Sequence, residues 1–203
     1  MKSRLRAPHL YPPPVKRGEE RRGVQYRIEI RNEAPRDRVS VRGLKDTVRK
    51  ILKALGFKKA AISVLLVGDR KIRVLNRRWL GHDRPTDVIA FGHQEPGAKN
   101  QEPRKSLSRF PVPGSRFPFL GDLVISLDTT RRQAAQYGNS FSYELAFYLC
   151  HGILHLMGYD DKSVREAARM DRKQRQVLET IGIKEKGKRK KEKVLWPSKK
   201  PKP

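Results

Sequence analysis

Between residues 24 and 183 the apolar positions fall into runs with the period of strands or of helices. Residues 24–31 place apolar side chains at every second position (Val24, Tyr26, Ile28, Ile30), which predicts a strand with one buried face. Val41, Leu44, Val48, Ile51, Leu52 and Leu55 recur at helical spacing, and Gly56 can close that helix in a left-handed cap. Residues 61–67 form a short apolar run expected of a buried strand. Asp69 is expected to cap a helix carrying Ile72, Leu75 and Trp79. Residues 87–91 and 122–127 predict two more strands, and Asp128 opens a short helix that Gly138 ends. Residues 141–157 are apolar almost all round, the mark of a buried central helix. The last helix opens on Ser163 and Glu166, a capping-box pair, and its stripe is Val164, Ala167, Met170, Val177, Leu178 and Ile181. The predicted fold is α+β: a small mixed β-sheet packed with helices, with the central buried helix carrying the candidate chemistry.

Three stretches lie outside this pattern. Residues 1–22 are rich in Arg and Pro and read as a disordered basic arm. Residues 184–203 hold ten Lys or Arg against two Glu and read as a disordered Lys-rich tail, either merely solvating or a phosphate-seeking tether. Residues 94–118 contain Pro96, Pro103, Pro111, Pro113 and Pro118 with little periodicity, so they read as a lid, a binding loop or plain disorder. The expected organisation is one domain over residues 23–183 between two basic arms.

Composition adds a partner and a compartment. Lys and Arg number 47 against 21 acids, a formal net charge of +26 in 203 residues. That excess suits a polyanion, because each Lys or Arg set on a phosphate releases condensed counterions. Cys150 is the only cysteine, so no intramolecular disulfide calls for an oxidising compartment. The first residues contain no apolar core of a signal peptide, and no run approaches the roughly 20 apolar residues that span a bilayer. A cytoplasmic protein with no membrane partner is expected. Arg-rich N-termini also occur in transit peptides, though Glu19 and Glu20 weigh against one here.

The chemistry concentrates in residues 151–161. His151 and His155 stand four apart on a helix, so their imidazoles share a face and can converge on one cation. Two uncompensated imidazoles inside an otherwise apolar helix would be costly to bury. Gly158 can reverse the chain after the helix and bring Asp161 back as a third ligand, with Asp160 its rival. The metzincin proteases use the same spacing. In a His-Glu-x-x-His protease, however, the residue after the first histidine is the general base, and here it is Gly152. An ion with three protein ligands keeps a position open for water or substrate, and a phosphodiester suits so basic a protein. The alternative reading is two core histidines bonded to backbone, with Asp160 and Asp161 capping the next helix. Cys150 points about 100° away from His151 on the helix and is read as a packing residue.

Residues 151–161 resemble the signature of the YbeY family of metal-dependent endoribonucleases, His-Gly-x-Leu-His-Leu-x-Gly-Tyr-Asp-His. Residues 75–91, with Arg84, Pro85, Thr86 and Asp87, and residues 119–126, with Leu120, Gly121 and Asp122, resemble two further family segments. The resemblance covers about residues 24–183 in the family's order. It implies an α+β fold, one zinc ion or another divalent metal, and single-strand-specific RNA cleavage. It also implies roles in ribosomal RNA (16S 3′-end) maturation and ribosome quality control, with ribosomal RNA and the small ribosomal subunit as partners. Two positions depart from the pattern. The family's third histidine is Asp161 here, and a place that often holds an arginine implicated in activity is Leu80. Arg84 is the candidate replacement cation, since guanidinium binds phosphate bidentately. Thr86, Asp87 and Asp122 are candidates to orient the histidines or bound water, and Asp122 is taken with Arg84 as a catalytic candidate. For each, capping of a turn or strand end is the alternative. Rival functions are a zinc protease, a zinc-bearing ribosome-binding factor without activity, and a nucleic-acid tether with an inert domain.

Overall fold

A computed structural model describes residues 24–34, 39–92 and 118–185. The expected basic arm, the Lys-rich tail and the Pro-rich stretch therefore lie almost wholly outside the described residues. The elements follow in the order β1 (Gln25–Asn32), α1 (Val41–Ala54), β2 (Lys59–Val67), α2 (Asp69–Leu80), β3 (Val88–Gly92), β4 (Phe119–Ser126), α3 (Leu127–Tyr137), α4 (Phe141–Leu156) and α5 (Val164–Thr180). The four strands form one sheet in the order β1-β2-β4-β3. β1, β2 and β4 run parallel, and β3 is antiparallel to β4 at the edge. The fold is α+β with a mixed sheet, as the patterning predicts.

Period-2 alternation sorts the strand residues onto two faces. Ile28, Ile30, Ile62, Val64, Leu66, Leu123, Ile125 and Val88 join the large core with α1, α4 and α5. Leu65, Val67, Ile89 and Val124 turn to the other face, where Ile72 of α2 closes a smaller cluster, with Leu75 and Phe91 packed against it. α4 is the centre of the larger layer: from Tyr143 to Leu154 only His151 escapes full burial. One charged residue shares that burial. Glu144 is wholly inside and accepts a hydrogen bond from Asn139 Nδ2 at 2.9 Å.

Three expectations change in detail. Asp69 does not cap α2. Gly68 is the N-cap, and Asp128 from α3 accepts the Asp69 backbone N–H at 2.8 Å. The Asp69 carboxylate instead accepts from Ser126 Oγ and Thr129 Oγ1 at 2.5 and 2.7 Å and from Arg132, which ties the starts of α2 and α3 together. Burial pushes the Asp69 pKa up, but these three donors outweigh it and hold the carboxyl below its ordinary value. The second change is at Val164, which is 90% exposed, because the buried residues of α5 begin at Met170. The third is the start of β4 at Phe119 rather than at Asp122. A register shift opposite Ala61 and Ile62 breaks the alternation there.

Candidate metal centre

The approach of α4 to the sheet is set by glycine. A Cβ on Gly152 would lie 2.8 Å from Leu123 Cδ2 and 3.2 Å from Val88 Cγ2, so the helix rides directly on β3 and β4. One residue type there thus serves packing, and it also decides chemistry. The position after the first histidine faces the sheet, so a glutamate at that place would be driven into the core instead of toward the histidines.

His151 and His155 stand one turn apart near the C-terminal end of α4, both half-buried. Their ring centroids are 4.6 Å apart with planes at 85°. The hydrogen-bond partners favour one tautomer for each ring. His155 Nδ1 lies 3.0 Å from the Tyr159 carbonyl oxygen, which only accepts, so the proton sits on Nδ1. His151 Nδ1 lies 3.3 Å from Gln174 Oε1. The Gln174 amide cannot be turned round, because its Nε2 donates to the Phe147 carbonyl at 2.9 Å. His151 therefore also donates from Nδ1. Both Nε2 lone pairs consequently face one space, 3.0 Å apart. Lone pairs so opposed repel, and a cation between them removes the repulsion. A tetrahedral zinc with bonds of about 2.0–2.1 Å would hold the two nitrogens roughly 3.3 Å apart, close to the spacing found.

The third group arrives by a chain reversal. Gly158 adopts φ +85°, which a side chain would strain, and the Tyr159 N–H donates to the Leu154 carbonyl at 3.0 Å. The chain then returns Asp161 to the histidines. The ligand atoms of His151, His155 and Asp161 all lie within 4.8 Å of one another. Asp160, the alternative from sequence, is engaged differently. It accepts from the Asp161 N–H at 2.8 Å and from Lys162 Nζ at 2.6 Å. Burial raises the Asp160 pKa, but Lys162 and the Asp161 amide prevail and keep it below the ordinary value. Two imidazole nitrogens and one carboxylate oxygen form a donor set that suits a zinc-type divalent ion.

The remaining candidates are not gathered into this cluster. Arg84 is exposed on the connection between α2 and β3. Its backbone is pinned there, since buried Asn76 donates from Nδ2 to the Arg84 carbonyl at 2.8 Å. Leu80 is 53% exposed at the end of α2. Asp87 Oδ1 accepts from Thr86 Oγ1 at 3.1 Å and from the Val88 N–H at 2.7 Å, at the start of β3. Asp122 lies within β4. It pairs with Phe91 and Ser63 in the sheet and shares the α2 face with Val124, while its neighbour Leu123 meets Gly152 of α4. β4 lies between β2 and β3, so the sheet separates the Asp122 side chain from α4. Gln174 Oε1 and the Tyr159 carbonyl are the groups that meet the Nδ1 atoms of His151 and His155. Gln174 was not singled out from sequence, where its only mark is a polar residue four after Met170 in the α5 stripe. Cys150 packs in the core, and burial pushes its thiol up to about 12. No helix among the described residues is long and apolar enough to cross a membrane.

Fold and cluster together define an α+β domain in which two histidines on a buried helix and a carboxylate from the turn that follows it form a group of metal-binding type. A family model described as Endoribonuclease YbeY matches residues 29–182. Endoribonuclease YbeY of Anaeromyxobacter sp. (strain Fw109-5) is 43% identical over 156 residues, covering 77% of this chain and 72% of that protein. The Bacillus subtilis (strain 168) protein of the same description is 39% identical over 127 residues, covering 62% and 75%. The solution structure of TM1509 from Thermotoga maritima aligns at 26% identity over 77% of this chain and 88% of that one, with a TM-score of 0.48. The chain belongs to the Endoribonuclease YbeY family and is an RNA-cleaving hydrolase.

Proposed function

We propose that this protein cuts single-stranded segments of ribosomal RNA, at the 16S 3′ end during maturation and in ribosome quality control, with one zinc-type ion held by His151, His155 and Asp161. The observation that carries the reading is the convergence of two Nε2 atoms and a carboxylate, with an acceptor oxygen beside each Nδ1. A divalent ion bound there supplies Lewis acidity toward a phosphoryl oxygen and lowers the pKa of water. The chain's own part is orientation and charge. Gln174 and the Tyr159 carbonyl hold the imidazoles, and the Gly158 turn holds Asp161. Arg84, on a loop braced by Asn76, is the cation assigned to the phosphate in place of the arginine missing at Leu80. Asp122 is not given a place at the ion, because the sheet stands between it and α4. The excess of 47 Lys and Arg over 21 acids supplies the attraction to ribosomal RNA and the small ribosomal subunit, with the basic arms as tethers. The cytoplasm is the compartment that fits this work.

The test uses the full chain on a single-stranded RNA oligonucleotide and on its duplex. Cleavage of the single strand, loss with a chelator, return with zinc, and loss in His155→Ala with RNA binding retained are expected. A folded His151→Ala/His155→Ala protein that still restores ribosome maturation would overturn the reading in favour of a non-enzymatic ribosome-binding factor.

A further inference from the structure

Gln174 is 1% exposed and occupies the middle of the α5 stripe, between Met170 and Val177. An amide so buried must satisfy both of its ends. Its nitrogen donates to the Phe147 carbonyl at 2.9 Å, and that bond turns its oxygen toward His151 Nδ1 at 3.3 Å. Phe147 also stacks on the His151 ring, with centroids 6.5 Å apart and planes within 10°. The ring plane and the proton position of His151 are thus both set by groups outside its own turn of helix. The two histidines differ in this respect. His155 is met at Nδ1 by a backbone carbonyl, whereas the group at His151 Nδ1 is a side chain, which a substitution can remove.

A neutral imidazole in water prefers its proton on Nε2. Left to itself, His151 would then aim an N–H at His155 Nε2 and take its own lone pair out of the shared space. We propose that Gln174 is a positioning residue that locks His151 in the Nδ1–H tautomer, and thereby sets the affinity of the His151, His155 and Asp161 site for a divalent cation. The inference rests on the metal-site reading above. Its acceptor function is separable from its packing. Methionine would fill similar volume without any acceptor, while glutamate would keep an acceptor for His151 and lose the donor to Phe147.

The experiment has two readouts on the full chain. Long-range nitrogen–proton NMR of the metal-free protein at about pH 8, above ordinary imidazole titration, reports the His151 tautomer without any metal. Competition with a chromophoric chelator reports zinc affinity. Wild type is expected as Nδ1–H at His151. Gln174→Met should move the ring toward Nε2–H and weaken zinc binding by roughly 10–100-fold. Gln174→Glu should retain the Nδ1–H tautomer and bind zinc more tightly than Gln174→Met does. A wild-type spectrum with His151 as Nε2–H overturns the proposal whether or not either variant folds. So does a folded Gln174→Met with unchanged tautomer and affinity. If wild type holds no zinc while His151 is Nδ1–H, the metal-site reading fails and the tautomer lock stands, so the two failures are told apart.

Discussion

Replacing Gly121 with alanine tests how the sheet positions the end of α4. Gly121 has φ +141°, a conformation that L side chains rarely adopt. An added Cβ would sit 2.3 Å from the Phe91 carbonyl oxygen and 2.8 Å from Leu156 Cδ2. The first of these partners is backbone of the adjacent strand, so it cannot swing away. The unfavourable dihedral costs about 1–3 kcal/mol. Overpacking adds about 1–3 kcal/mol more, for a combined loss near 4 kcal/mol. At roughly 2–4 °C per kcal/mol for a domain of this size, Tm should fall by about 8–16 °C. Leu156 directly follows His155, so the relief of the clash runs into the histidine turn, and RNA cleavage should fall even at temperatures where the variant is folded. Gly152→Ala is the control. Its Cβ would meet only the ends of the Leu123 and Val88 side chains, and alanine gains about 1 kcal/mol of helix propensity. Its net loss should stay under about 2 kcal/mol. Thermal and urea unfolding by circular dichroism measure both variants. A Gly121→Ala protein that melts within a degree of wild type would refute the packing argument.

Substitutions at four further positions have expected outcomes. Gly152→Glu should lower stability severely and create no protease, which casein digestion and a melting curve together check. Asp69→Ala should cost about 1–3 kcal/mol at neutral pH by leaving Ser126 and Thr129 without their acceptor. Because the Asp69 pKa is depressed when folded, its stabilisation is present above its ordinary value of 3.8 and is lost as pH falls through the lower folded value. Asp69→Asn should therefore show a shallower loss of stability below about pH 4 in urea titrations than wild type. Asp161→His, which restores the histidine at the family's third position, should tighten zinc binding measured by chelator competition. Arg84→Ala should lower RNA cleavage by about tenfold or more with Tm unchanged, whereas Arg84→Lys should recover only part of it.

The local parts of the site were legible because they depend on spacing alone. His151 and His155 share a face by helical geometry, and the Gly158 reversal with Asp161 follows within six residues of the second histidine. The helix and strand positions were equally local, down to the Ser163 and Glu166 capping box. What escaped was tertiary. Gln174 is 23 residues from His151 and reaches it only because α5 packs on α4. The face taken by Asp122 follows from its parity with Leu123, yet only the fold shows that α4 covers the Leu123 side. Asp69 looked like a cap because Asp favours helix starts, but three donors from α3 and its N-cap compete for the carboxylate and Asp128 takes over the amide. The exposure of Val164 shows the limit of periodicity: it marks a face, and only packing decides how far along the helix that face is covered.

The most direct trial of the central claim is elemental analysis of the purified full chain beside His155→Ala. One divalent ion per wild-type chain and nearly none in the variant is the result this account requires. Equal metal content in the two proteins, with both folded, would contradict it.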